Sequence, residues 1–125
     1  MVRGVEELEG AFATFSSDRV DAIVVQGSLS IKSVTDLAIK HRIPASSTSR
    51  SFAEIGGLLS FGADGPAAFR HGTTFVQRIL QGKLPRDLPI EQPTKFDLAV
   101  NLKTARAIGI AIPETFLLRA DAVIE

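Results

Sequence analysis

The sequence predicts an α/β fold with a mainly parallel sheet flanked by helices. Short apolar or β-branched runs alternate with stretches in which apolar residues recur every three or four positions, and glycines, prolines and helix-capping residues separate them. This alternation is typical of layered folds in which helices connect parallel strands. The 125 residues, 45% of them hydrophobic, are enough for one compact domain.

The first part of the chain reads as helix, strand, helix and strand. Residues 4–17 have the apolar spacing of an amphipathic helix. Residues 21–25 are apolar in succession after Asp21, which predicts a parallel strand with a neighbour on each side and cover on both faces. Ser30 is the expected N-cap of a helix that ends near Lys40, and residues 43–45 begin a short strand.

The middle of the chain is rich in glycine. One or two helical turns are expected over residues 49–55, and the two glycines at 56–57 should end them. Residues 58–61 read as a strand. Asp64 is then the predicted cap of a helix that stops at Gly82.

The last third begins with an extended segment, since residues 83–93 contain three prolines and each disfavours a helix before it. Residues 96–100 read as a strand. Asn101 is the expected cap of a helix over 102–108, and a final helix is predicted over residues 114–123.

Composition excludes several classes of function. Lys and Arg number 14, as do Asp and Glu, so the charge is balanced and no basic cluster suggests a nucleic-acid partner. Cysteine is absent, which excludes disulfides and thiolate chemistry. No apolar run approaches the ~20 residues of a membrane-spanning helix. Residues 1–20 are too acidic for a signal peptide.

Catalytic and metal-binding patterns are weak. His41 and His71 both stand beside arginine on predicted helix surfaces, and ordinary surface histidines have that setting. No serine lies in a G-x-S-x-G elbow, although a catalytic triad that converges in space stays open. We therefore predict no enzyme activity, no catalytic residue, no metal site and no cofactor.

Polar residues follow three of the predicted strands, at residues 26–28, 46–49 and 61–64. Open α/β sheets bind ligands beyond the carboxyl ends of their strands. Each stretch could instead be a solvated turn that binds no ligand, and Asp64 could serve only as a helix cap. An exposed aromatic ring beside a carboxylate would suit a ligand with an apolar part and an ammonium group. The candidate ligand-binding residues are Gln26, Ser28, Ser47, Ser49, Phe61 and Asp64.

Residues 88–109, LPIEQPTKFDLAVNLKTARAIG, strongly resemble the C-terminal signature of the ABC transporter substrate-binding protein family, which includes tryptophan/tyrosine-type binding proteins. Residues 50–62, 79–89 and 117–125 resemble other segments of that family in the same order. The resemblance extends over essentially the whole chain, but family members are considerably longer.

The resemblance implies a partial type I periplasmic-binding-protein fold, in which two lobes enclose a solute. Residues 1–55 would belong to the second lobe, 56–82 would return to the first, 83–95 would form an extended crossover and 96–125 would finish the second lobe. The implied partners are a small polar or amino-acid-like solute and an ABC permease, and the implied location is the periplasm or cell envelope. Some relatives carry an aromatic residue where this chain has Ser47, which suggests a smaller or more polar solute.

A second interpretation is a non-catalytic structural or regulatory fragment that associates with itself and binds no ligand. If the sheet partners of strand 58–61 lie in the first lobe, that strand would be left uncovered here. We therefore expect a homo-oligomer, with a contact that involves Leu58, Leu59, Phe61, Phe69 and Val76.

Overall fold

The computed structural model describes residues 5–29 and 31–125, with side chains from residue 7 onwards within those ranges. Helices and strands alternate along this part of the chain. The helices are α1 (Val5–Ser17), α2 (Lys32–Lys40), α3 (Arg50–Glu54), α4 (Gly65–Leu80), α5 (Leu102–Ile108) and α6 (Glu114–Leu117). The strands are β1 (Ile23–Val25), β2 (Ala45–Ser47), β3 (Leu59–Ala63), β4 (Phe96–Asn101) and β5 (Ala122–Ile124).

The five strands form one sheet in the order β1-β2-β3-β4-β5. The pairs β1–β2, β2–β3 and β4–β5 are parallel. Strands β3 and β4 run antiparallel, because the Asn101 amide donates to the Leu58 carbonyl while the Asp64 amide donates to the Lys95 carbonyl. The predicted α/β class with a mainly parallel sheet is confirmed.

The chain divides into two compact units. Unit 1 contains the residues up to Gly62 together with Asp97–Glu125, and unit 2 is Ala63–Phe96. Unit 1 holds the core: apolar residues of α1 and α2 pack against β1, β2 and α3, with Phe12 and Phe52 almost fully buried. A second cluster joins Leu58 to Ala105 and Ile108 of α5.

Two predicted helix caps are confirmed. The Asp64 carboxylate accepts a hydrogen bond from the Ala67 amide at 2.9 Å, and the Asn101 side-chain carbonyl accepts one from the Thr104 amide at 2.9 Å. The expected cap Ser30 lies outside the described residues, and Ile31 stands at the N-cap of α2 without a side-chain bond.

The predicted final helix over residues 114–123 is wrong. Helix α6 ends at Leu117, and Ala122–Ile124 is a strand that pairs with β4. Asp121 fixes the pairing: its amide donates to the Leu98 carbonyl, and its carboxylate accepts from the Leu98 amide. Sheet pairing across the chain therefore outweighs the local helical pattern.

Two expectations about strand cover also need correction. Strand β3 has sheet partners within this chain, β2 on one side and β4 on the other, so it is not left without them. In the described sheet, β1 has a neighbour only on the β2 side. Its Val24 is 81% exposed while Val25 is buried, so one face of β1 is uncovered rather than both faces being covered. The segment expected to be extended over 83–93 includes a short 3-10 turn at Pro85–Asp87.

Candidate functional site

The parallel strands β1, β2 and β3 bring their carboxyl ends to the same edge of the sheet. Strand β1 ends at Val25 and is followed by a 3-10 turn, Gly27–Leu29, which the Leu29 amide closes by donating to the Gln26 carbonyl at 2.8 Å. Strand β2 ends at Ser47 and leads into α3. In open α/β sheets, this edge is where ligands bind.

Thr48 is where the three segments meet. A Cβ atom placed on Gly62 would overlap the Thr48 carbonyl oxygen and lie 2.9 Å from its carbonyl carbon, so β3 passes directly against this residue. A Cβ atom on Gly27 would lie 4.0 Å from the Thr48 hydroxyl oxygen. Glycine at position 62 is therefore required by close packing of two backbones. We call the edge formed by residues 26–29, 47–49 and 61–62 the carboxyl edge.

Four of the candidate side chains lie on this edge with surface open to solvent. Gln26 and Ser28 are exposed, and Phe61 is 55% exposed. Ser49 is half-buried, and its hydroxyl lies 2.8 Å from that of Ser51. The edge thus offers an amide, hydroxyls and an aromatic face, which are typical groups of a small-molecule site.

Ser47 lies deeper than the other candidates. It is buried in the sheet beside Ser60, its partner in the β2–β3 register. Ser60, which the sequence did not single out, is 1% exposed, and its hydroxyl has no hydrogen-bond partner among the described residues. Buried hydroxyls without partners are uncommon in proteins. No sequence pattern marks Ser60, because its burial depends on the strands beside it.

Asp64 lies in unit 2. Besides capping α4, its carboxylate lies 3.0 Å from the Lys95 ammonium. The hydrogen bond from the Ala67 amide and the bond to Lys95 lower the pKa of Asp64 below its ordinary value, because both favour the charged form. The carboxylate therefore already has two partners. Any ligand ammonium would compete with Lys95.

A groove of about 460 Å³ runs between α4 and residues 91–95 in unit 2. His71 of α4 and Glu91 close it at one place, with His71 Nε2 and Glu91 Oε2 2.5 Å apart. The residues that line it are Asp64, Ala67, Ala68, His71, Gly72, Phe75, Glu91, Gln92, Pro93, Thr94 and Lys95.

Arg50, at the start of α3, donates to both carboxylate oxygens of Asp97 at 3.1 and 3.2 Å. The pair links α3 to β4 within unit 1. The two residues are 47 positions apart, so the sequence could not reveal the contact.

The structure therefore brings five of the six candidates to one edge and leaves Asp64 in the other unit. Across the described residues, no group of three or more His, Cys, Asp or Glu side chains is arranged to hold a metal ion. Helices long and apolar enough to cross a membrane are also absent from the described part.

Three solved structures have a similar fold. The chain matches a conserved domain protein of Vibrio cholerae at 25% identity and a TM-score of 0.82, covering 95% of this chain and 41% of that one. It also matches an ABC domain of Streptococcus pneumoniae in complex with L-Trp, at 25% identity and a TM-score of 0.81. That match covers 98% of this chain and 44% of the other. A ligand-free, open substrate-binding protein with adhesive properties from Clostridium difficile matches at 18% identity and a TM-score of 0.72. That match covers 99% of this chain and 42% of the other.

The chain thus spans less than half the length of these solved proteins. No curated protein sequence matches it significantly. The model of one protein family, described as ABC transporter substrate binding protein, matches residues 1–124. Because that match covers nearly the whole chain, the protein belongs to the ABC transporter substrate-binding protein family.

Proposed function

We propose that this chain supplies part of the solute site of an ABC-type importer. A small polar or amino-acid-like solute would bind at the carboxyl edge of unit 1, be enclosed when the first lobe closes over it, and be delivered to an ABC permease. The family's extracytoplasmic setting fits this role. Binding, rather than catalysis, is the function we infer.

The observation that carries the proposal is the convergence at Thr48. Three segments that the sequence marked as polar meet at the carboxyl ends of parallel strands, where α/β proteins bind ligands. Close packing of Gly62 against Thr48 holds these segments together. Such a rigid edge can orient a small ligand before the first lobe closes.

The side chains on the edge suggest the class of solute. The Gln26 amide and the hydroxyls of Ser28 and Ser49 can bond a carboxylate or other polar head. Phe61 offers an exposed aromatic surface for an apolar portion. An amino acid has both parts, and one solved relative holds L-Trp. Serine at position 47, where some relatives carry an aromatic residue, favours a smaller or more polar solute.

For the division into lobes we propose the order that the family resemblance implies. Residues 1–55 and 96–125 would form second-lobe structure, residues 56–82 would return to the first lobe and 83–95 would cross back. The compact unit Ala63–Phe96 supports an excursion of this kind, although residues up to Gly62 group with unit 1. Because β3 and β4 are antiparallel, β3 is suited to lead the chain out of the second lobe and β4 to lead it back.

The chain alone should bind amino acids only weakly, because the opposite side of the proposed cleft belongs to the first lobe. We expect a Kd of about 1 mM or weaker, which corresponds to a binding free energy of only ~4 kcal/mol. Isothermal titration calorimetry with a panel of amino acids measures this. A micromolar Kd would contradict the half-site assignment and mean that the cleft is complete in this chain or in an oligomer of it.

A thermal-shift screen at high solute concentration tests the assignment to this edge. A solute that binds only the native state raises the melting temperature, and Gln26→Ala should reduce that rise. Ser17→Ala, at the end of α1, is the control and should leave it unchanged. Equal rises in both variants would remove Gln26 from the site.

The second candidate function is a self-associating fragment without ligand binding, and one observation bears on it. Helix α4 has no buried residue although it is amphipathic. A homo-oligomer through this helix is compatible with either function, so the two candidates differ in solute binding alone.

A further inference from the structure

Arg50 and Asp97 form an ion pair directly beside the carboxyl edge of unit 1. Arg50 follows Ser49, the last residue of the edge segment after β2, and begins α3. Its Nη1 donates to both carboxylate oxygens of Asp97, at 3.1 and 3.2 Å. The side chains of the edge itself are all uncharged, so this pair adds charged groups that the edge lacks.

The pairing of β3 with β4 places Asp97 next to the edge. The Asn101 amide donates to the Leu58 carbonyl, and the two strands run antiparallel from that bond. Four residues further along each strand, Asp97 stands opposite Gly62. Gly62 is the residue that packs against the carbonyl of Thr48. Asp97 is therefore one strand away from the point where the edge segments meet.

Both members of the pair can bond a further group. The side chain of Arg50 is 53% exposed and that of Asp97 is 18% exposed, so solvent reaches both. The bonds to Asp97 use Nη1 of Arg50, and a contact with Glu54 at 3.4 Å uses Nε, whereas a guanidinium has five N–H donors in all. Each Asp97 oxygen likewise has lone-pair capacity beyond the bond from Arg50. The pair can thus bind one more acceptor and one more donor without breaking.

The charges of the pair suit a solute that carries one charge of each sign. Because the guanidinium and the carboxylate compensate each other, a solute with a single charge would bring an unbalanced charge into an enclosed site, which is costly. A zwitterion can place its carboxylate on Arg50 and its ammonium on Asp97, so the charges stay balanced. Closure of the first lobe takes water away from these groups, and the solute then supplies the hydrogen bonds that the water had made.

We propose that Arg50 and Asp97 together recognise the carboxylate and the ammonium of a zwitterionic amino acid. Arg50 donates to the carboxylate, Asp97 accepts from the ammonium, and the amide and hydroxyls of the carboxyl edge supplement these bonds. The inference rests on the proposed solute-binding function, and it names the two residues that select the charges of the solute.

NMR titration of the 125-residue chain with three forms of one solute tests this assignment. L-Leucine carries both charges, L-leucinamide carries only the ammonium, and N-acetyl-L-leucine carries only the carboxylate. The wild-type chain should bind leucine about tenfold more tightly than either blocked form, because each blocked form leaves one member of the pair without its partner. This comparison needs no substitution, so it holds even where a variant fails to fold.

Two substitutions should give a crossed pattern that an ion pair with a merely structural role would not give. Arg50→Gln should abolish the preference for leucine over leucinamide and keep the preference over N-acetyl-leucine. Asp97→Asn should do the reverse, because it removes the group that accepts from the ammonium. Arg106→Gln, an exposed position on α5 with the same loss of charge, is the control and should bind all three forms as the wild type does.

Three outcomes would overturn the assignment. Equal Kd values for the three forms in the wild type would remove both residues from the site and leave the carboxyl edge as a solute site. A uniform loss of binding of all three forms in both variants would show that the pair only holds α3 against β4. An absence of shifts at the edge with leucine and both blocked forms would also overturn it, and the panel of amino acids then tests the solute site separately.

Discussion

Gly62 shows how one small residue shapes the carboxyl edge. Its lack of a side chain lets β3 lie against the carbonyl of Thr48, and through Thr48 the loops after β1 and β2 stay next to β3. Its backbone is not in the left-handed conformation, so the requirement is one of space. This part of the sequence is rich in glycine, and the contact gives the glycine at position 62 a physical reason.

Gly62→Ala should therefore destabilise the protein. The added methyl group would overlap the Thr48 carbonyl and force the two backbones apart, at a cost of about 1–3 kcal/mol in the free energy of unfolding. Gly10→Ala in α1 is the control: nothing lies within 4 Å of its Cβ position, and alanine should stabilise that helix by about 0.5–1 kcal/mol. Urea unfolding measures both. Equal stability of Gly62→Ala and wild type would mean that the contact is not tight.

Substitutions of Asp64 can decide whether this residue is only a helix cap or also contacts the solute. If it is only a cap, Asp64→Asn should be nearly neutral, because asparagine also caps well, while Asp64→Ala should lower the melting temperature. If it contacts the solute, Asp64→Asn should abolish solute binding in a two-lobed context without changing the melting temperature. Unchanged affinity there would remove Asp64 from the site.

The lowered pKa of Asp64 predicts that the stability of the protein depends on pH. Its pKa is lowered in the folded protein by the Ala67 amide and Lys95, so the unfolded state binds the proton more readily. The stabilisation from this carboxylate is thus present above the ordinary pKa of 3.8 and is lost as the pH falls through the lower folded value. The difference in stability between wild type and Asp64→Ala should therefore shrink on acidification over that window. A difference independent of pH would contradict the charge effect.

At the scale of elements, Asn101 joins α5, α3 and β4. It is 4% exposed, its side-chain carbonyl caps α5, and its side-chain amide donates to the Ala53 carbonyl at 2.8 Å. The capping half of this role could be predicted from the sequence. The bond to Ala53 spans 48 positions, so it could not.

Asn101→Ala should cost about 2–3 kcal/mol of stability, because it removes the cap and leaves a buried carbonyl without its donor. Asn101→Asp keeps the cap but turns the donor toward Ala53 into an acceptor. It should therefore be destabilising as well at neutral pH, in contrast to Asp64→Asn. Chemical denaturation compares these variants, and a neutral effect of Asn101→Asp would show that the bond to Ala53 contributes little.

Elements with strong local signals were predicted well, and those defined by distant partners were not. The apolar spacing of α1 and α4, the cap of α5 and the glycines after α3 are all read within a few residues. By contrast, Ala122–Ile124 becomes a strand because β4 lies beside it. The same limit hides the pairing of Arg50 with Asp97 and the burial of Ser60 from the sequence.

At the scale of the whole molecule, the chain has a sizeable core and also uncovered apolar surface. The core of unit 1 is well packed, yet Val24 on β1 and Phe69, Val76 and Leu80 of α4 are open to solvent. The solved proteins of similar fold are more than twice as long as the part that this chain matches. Large exposed apolar patches mark sites of interaction.

The central claim is that the carboxyl edge of unit 1 is one side of a solute site. An NMR titration of the 125-residue chain with amino acids up to about 20 mM tests it most directly, because weak binding still shifts the amide resonances of contacting residues. We predict that the shifts cluster at residues 26–29, 47–49 and 61–62 and saturate in the millimolar range. Shifts confined to the groove of unit 2, or no shifts with any amino acid tested, would contradict the claim.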